Sequence, residues 1–267
     1  MNLRTETFHF TFLTACFSGG AEGKEAKTSE LRVPPVRGHI RFWHRATFGV
    51  ESANRVWGST DGDEGQGSRV AIRIGESLPP SRRDAPLLPH KTHGASRPAL
   101  PPGATASIQL QRLPACSNDD WQQALTATRI WILAGTLGYR SSRAAGSVWP
   151  LESWTPRSRD ELSGLLAPLL KKPGNPWAAA LAGKPAAKTA TALRETASDT
   201  PQGPAQLFGQ AQPRRPSPVR FKVVELNPGS CLLVLAPSKQ QLTAAEAALK
   251  SKPSPQRWND LGAWQPL

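Results

Sequence analysis

The stretch Pro34-Pro35-Val36-Arg37-Gly38-His39-Ile40-Arg41-Phe42-Trp43-His44-Arg45-Ala46-Thr47-Phe48-Gly49 decides how this chain folds. Proline suits the first turn of a helix, where its missing N–H would be unpaired in any case. Val36, Ile40, Trp43 and Thr47 then recur at helical spacing as one stripe, and Arg37, Arg41 and Arg45 form a second at i, i+4 and i+8. The spacing predicts a helix from Val36 to Phe48, closed by Gly49, with a core face and a cationic face. No Glu or Asp occurs between Leu31 and Val50 to pair with those arginines. The helix N-terminal amides favour an anion as well, so phosphate contact is expected.

Upstream, Phe8, Phe10 and Phe12 alternate with His9 and Thr11, which predicts a half-buried strand over Thr5 to Ala15. Leu13-Thr14-Ala15-Cys16 has the look of a lipoprotein cleavage box, but Glu6, His9, Thr11 and Thr14 break the apolar run a signal peptide needs. Downstream, residues 50–67 read as a loop, Ser68 to Ile74 as a strand with Arg69 and Arg73 outward, and the proline-rich residues 76–104 as loop throughout. Thr105 to Leu113 reads as a third strand. Asp120 to Leu137 reads as a helix capped by Asn118 or Asp119, and Ser147 to Leu151 as a short fourth strand. This order predicts an α+β fold, a ferredoxin-like (RRM-like) module over residues 1–152 with both helices on one face of an antiparallel sheet. Residues 153–267 read as a helical segment plus a β-hairpin, joined at Asn227-Pro228-Gly229-Ser230. That segment is taken as a second, incomplete module, and the whole carries long Pro/Gly-rich loops.

The chain has 267 residues and a formal net charge of +13, of which residues 1–75 contribute only +2 (10 basic, 8 acidic). Such an excess points to a polyanion partner. Nine tryptophans demand a real core. No apolar run reaches the eighteen residues of a membrane span, so no membrane partner is expected. Cys16, Cys116 and Cys231 lie too far apart for a metal-binding spacing or a disulfide framework, which suits a reducing, cytoplasmic setting.

Motifs for catalysis are weak. Gly19 to Lys24 resembles a nucleotide loop, but Ser18 stands where the first glycine belongs and Glu25 where Ser or Thr would hold magnesium. Asp61, Asp63 and Glu64 have the chemistry to hold Mg²⁺, yet no second carboxylate cluster follows, and a solvated acidic turn is the simpler reading. His39 and His44 suit acid–base work on RNA but, five apart, share no helix face. His90 and His93 lack cysteine partners for zinc. Hence no catalytic residue, metal or cofactor is expected. Basic groups are the stronger signal: Arg140 and Arg143 lie in a small-residue loop from Gly135 to Gly146 whose amides can approach phosphates. Arg214, Arg215, Arg220 and Lys222 form a later cluster that reads equally as a basic linker.

Several of these segments resemble one family. Arg37-Gly38-His39-Ile40-Arg41-Phe42-Trp43, Gly135 to Arg143, Trp57-Gly58-Ser59 with Gly67-Ser68-Arg69-Val70, and Arg214-Arg215-Pro216-Ser217-Pro218 are similar to successive motifs of the RAMP superfamily, the RNA-recognition-fold proteins of CRISPR effector complexes. Within it, the motifs are most similar to the first Cmr subunit of type III-B complexes, with the sixth as a near alternative. Pro35, Ala144 and Ala145 depart from the family pattern. The resemblance implies a non-catalytic subunit of a ribonucleoprotein complex in antiviral defence. Its partners would be crRNA, complementary target RNA and other Cmr or RAMP subunits, with contact near the crRNA 3′ end. It implies RNA contacts by Lys24, Arg37, Gly38, Arg41, Arg45, Gly135, Gly138, Arg140, Ser141, Arg143, Arg214 and Arg215, gathered on one concave cationic path. The other reading is a RAMP-type endoribonuclease using His39, His44 or the Asp61 to Glu64 turn.

Overall fold

Alternation makes the first strand. β1 (Thr5–Phe12) buries Phe8, Phe10 and Phe12 and exposes Thr5, Thr7 and His9 in this computed structural model, which describes residues 4–19, 27–60, 65–75, 78–183, 188–200, 204–210 and 212–267. Helix α1 (Val33–Phe48) carries its prolines in the first turn and buries Val36, Ile40, Trp43, His44 and Thr47. Gly49 follows at φ +96°, a left-handed value that glycine alone takes freely, and the chain turns straight into α2 (Val50–Trp57). A loop was expected there. The helix forms because Ala53, Val56 and Trp57 fall on one buried face.

β2 (Val70–Ile74) comes next, then a short ribbon of β3 (Asp84–Pro86) and β4 (Ser96–Pro98) inside the segment expected to be all loop. Three-residue strands with proline at their ends need few N–H donors, so the prolines are tolerated. β5 (Thr105–Arg112), α3 (Asn118–Ala134) and β6 (Val148–Pro150) complete the first sheet, in the order β2-β5-β1-β6, antiparallel throughout. Ser117, rather than Asn118 or Asp119, caps α3: its Oγ accepts the Asp120 N–H at 3.0 Å. α1 and α3 cover the inner face, where Phe10 meets Trp131 edge-on at 5.5 Å. The buried Asp120 carboxylate accepts from Arg55 of α2 at 2.8 Å and from Arg69 beside β2 at 2.9 Å. Burial alone would raise its pKa, but the hydrogen bonds from Arg55, Ser117 and Arg69 win and hold it below the usual carboxylate value.

The later half contains α4 (Arg159–Leu170), β7 (Ala178–Ala182), α5 (Ala190–Ser198), α6 (Ala205–Phe208), β8 (Arg220–Leu226), β9 (Gly229–Ala236), α7 (Lys239–Lys250), α8 (Gln256–Asn259) and β10 (Gln265–Pro266). Its sheet runs β10-β7-β9-β8, so the expectation of a hairpin alone is corrected: four strands stand in the same relative order as in the first sheet. β7 escapes notice because alanine prefers helix and because both its faces are buried, which erases alternation. Ala179, Leu181, Val224 and Leu233 face the core shared with the first sheet. Ala180, Phe221, Val223 and Val234 face a second core with Leu193, Leu242 and Trp258. The architecture is mixed α/β with antiparallel sheets. Among the described residues no helix is long and apolar enough to cross a membrane.

Candidate nucleic-acid interface

The loop after α3 is set by close approach. A Cβ on Gly135 would lie 2.5 Å from the Trp131 carbonyl oxygen and 2.7 Å from Trp43 Nε1, and one on Gly138, at φ +87°, 2.6 Å from the Phe17 carbonyl oxygen. Both glycines are therefore required by the protein's own packing. Lys222, expected in a surface basic cluster, is instead fully buried, with Nζ donating to the carbonyls of Ile132 (2.5 Å) and Gly135 (2.6 Å). It caps the α3 C-terminus and pins the start of the loop, while burial drives its pKa well down. Beyond Gly138 the chain turns at Arg140, at φ +60°, with the Arg143 N–H donating to the Arg140 carbonyl at 2.8 Å.

That turn, with Ser141, floors a cleft of about 1200 Å³. Leu88, His90 and Lys91, between β3 and β4, line it from one segment, and Phe208, Gln210, Arg214, Arg215 and Ser217 from another. Lys91, Arg140, Arg143, Arg214, Arg215 and Arg220 contribute cations, and among the described residues its lining holds no Asp or Glu. A recess walled by one sign of charge focuses the field and concentrates anions. Arg214 and Arg215 are exposed. Arg220 lies over the Phe42 ring at 4.0 Å, and the Nε atoms of Arg140 and Arg220 are buried without a hydrogen-bond partner among the described residues. Burial lowers the pKa of both and brings Arg220 to about 10, so both remain cations at neutral pH.

Arg143 differs from these. Its guanidinium is buried and donates to the Ser142 carbonyl (3.1 Å), Ser217 Oγ (3.1 Å) and the Phe208 carbonyl (2.5 Å). Burial, then Arg140, pull its pKa to about 9. The expected phosphate donor thus rivets the loop to the β8 side of the fold. Ala144 and Ala145, which depart from the family pattern, are buried beside it. The helix stripe is also displaced from the cleft. Arg37 donates to the Trp57 carbonyl and Arg41 to Asn54 Oδ1 at 2.7 Å, both on α2, while Arg45 is exposed. None of the three lines the cleft. At about 100° per residue, exposed Gly38 lies between the stripe and the Phe42 side of α1 that touches Arg220.

Residues 9–149, more than half of the chain, match the model of the RAMP superfamily. The chain belongs to that superfamily. Its fold is similar to Cmr1 from Pyrococcus furiosus in the apo form, at 18% identity, a TM-score of 0.60 and 87% coverage of each chain. It is also similar to a chain of a type III-B Cmr-beta complex bound to cognate target RNA and AMPPnP, at 10% identity, a TM-score of 0.57 and 98% of each chain. A chain of the same kind of complex with cognate target RNA matches at 11% identity and a TM-score of 0.51, over 88% of this chain and 94% of that one. No curated protein matches by sequence.

In this RAMP chain the candidate acid–base groups are engaged or screened. His44 is fully buried, its Nδ1 accepting the Trp57 indole N–H at 3.0 Å and its Nε2 paired with Ser52 Oγ at 2.9 Å. Burial, then Arg55, pull it to about 4. His39 is half-buried and pulled to about 4 by burial and then Arg220. His90 pairs with Ser198 Oγ. Lys24, Asp61, Asp63 and Glu64 lie outside the described residues. Among the described residues, no group of three or more His, Cys, Asp or Glu side chains is placed to hold a metal. Sequence reasoning missed Lys91, which reaches the cleft from the segment between β3 and β4, and Tyr139, which lines it from the loop beside Arg140. An isolated lysine in a proline-rich segment carries no signal of its own.

Proposed function

We propose that this RAMP chain is a non-catalytic RNA-binding subunit of a type III-B, Cmr-type CRISPR effector complex, holding crRNA or its target near the crRNA 3′ end. The cleft, where cations from three separated segments meet and no Asp or Glu lines it among the described residues, carries the reading. The fold-level likeness to chains of RNA-bound Cmr complexes supports it. Guanidinium and ammonium groups grip phosphates without reading bases, which suits a guide whose sequence changes with every spacer. We read the two sheets as ferredoxin-like modules, residues 1–152 and 153–267, with partners on other faces being further subunits of the complex. Purification from the native host with sequencing of the bound RNA tests this: a mixture of guides with co-purifying Cmr subunits is expected. A preparation free of RNA and of other subunits refutes it. The endoribonuclease reading finds less support, since both ring nitrogens of His44 are committed. Discrete, EDTA-sensitive or EDTA-resistant products from a labelled repeat RNA would restore it.

A further inference from the structure

Tyr139 is the chain's single tyrosine, and among the described residues it is the aromatic side chain left most open, at 49% exposure. The large tryptophans at 43, 57, 121, 131 and 258 are all buried. Its backbone is fixed, with the N–H donating to the Phe17 carbonyl at 3.0 Å, so the ring's position follows from the packing of the loop. The ring lines the cleft, next in sequence to Arg140. Arg97 of β4 sets its guanidinium 5.8 Å from the ring centroid. A cation there orients and rigidifies the ring. An aromatic half in water, backed by a cation and facing a cleft rich in cations, matches the sequence-tolerant stacking platforms of single-strand binders.

We propose that Tyr139, backed by Arg97, stacks an unpaired nucleobase, so that the cleft takes single-stranded rather than duplex RNA. This rests on the RNA-binding reading above. With a base on Tyr139, the adjoining phosphates fall to Arg140 and its neighbours in the cleft. A duplex hides its base faces within the stack and leaves the ring nothing flat to meet. Stacking ignores base identity, so guide indifference is preserved.

Fluorescence anisotropy with the full chain tests it, using a labelled single-stranded RNA of about 12 nucleotides, its blunt duplex, and the same strand with its bases removed. Tyr139→Ala should weaken the single strand by about 5- to 150-fold, the range expected for one stacked base, with duplex binding unchanged. Tyr139→Phe should bind like wild type, and the baseless strand should bind both proteins equally. Wild-type affinity in Tyr139→Ala, an equal loss on duplex, or a matching loss in Tyr139→Phe overturns the stacking proposal. If Arg214→Gln/Arg215→Gln still weakens RNA in that case, the RNA reading survives. No binding of any strand by the wild-type chain at low salt overturns the RNA reading itself.

Discussion

Replacing Arg214 and Arg215 together with glutamine should flatten the salt dependence of RNA binding by a calculable amount. Among the described residues six cations line the cleft, and Arg143 uses its donors inside the fold. Lys91, Arg140, Arg214, Arg215 and Arg220 are left to meet phosphates. Each phosphate neutralised on a single strand contributes about −0.7 to the slope of log K against log salt, so five contacts give about −3.5. Between about 50 and 200 mM salt that slope is roughly a 100-fold loss of affinity. With two contacts gone the slope becomes about −2.1 and the loss roughly 20-fold. Both arginines are exposed, so their replacement should leave stability within about 0.5 kcal/mol and the comparison is clean. Anisotropy titrations of a labelled single strand across that salt range measure both slopes. A double variant with the wild-type slope refutes the assignment of phosphates to this cleft. A difference above about tenfold between unrelated RNA sequences refutes backbone-only recognition.

Three further outcomes follow from the packing. Asp120→Asn removes the charge gripped by Arg55 and Arg69 and should cost about 2–3 kcal/mol in urea unfolding. Because the folded carboxyl titrates below its ordinary 3.8, wild type holds this contribution at neutral pH and loses it as pH falls through the folded value. The variant should therefore show the flatter acid profile, and equal profiles would count against the ion pairs. His44, pulled from 6.5 to about 4, binds its proton first in the unfolded chain, so stability should fall as pH drops through that window, by up to about 1.4 kcal/mol per pH unit. His39 adds to the slope, and unchanged urea midpoints between about pH 7 and 5 contradict neutral, buried imidazoles. Gly38→Ala meets nothing within 4 Å and should stabilise α1 by up to about 1 kcal/mol, since nothing inside the protein requires glycine there. Gly135→Ala drives a Cβ into Trp131 and should cost about 3 kcal/mol, so thermal melts of the two variants should move in opposite directions.

Local periodicity carried the first half of the fold. Phe8, Phe10 and Phe12 at period two, and Val36, Ile40, Trp43 and Thr47 at helical spacing, are buried as that spacing demands. β7 was invisible for the opposite reason: Ala178–Ala182 is buried on both faces, so neither alternation nor composition marks it as a strand. The candidate site divides in the same way. Arginine and glycine spacing located the basic segments, and Arg140, Arg214 and Arg215 do meet in one cleft. Yet Arg143 and Lys222, indistinguishable from them in sequence, are buried and bound to carbonyls, while Arg37 and Arg41 turn to α2. Sequence by itself determined the amphipathic elements and the surplus of positive charge, because these depend on neighbours a few residues apart. Only the tertiary structure decided which cations face solvent together, because that depends on carbonyls and rings supplied from roughly 65 to 90 residues away.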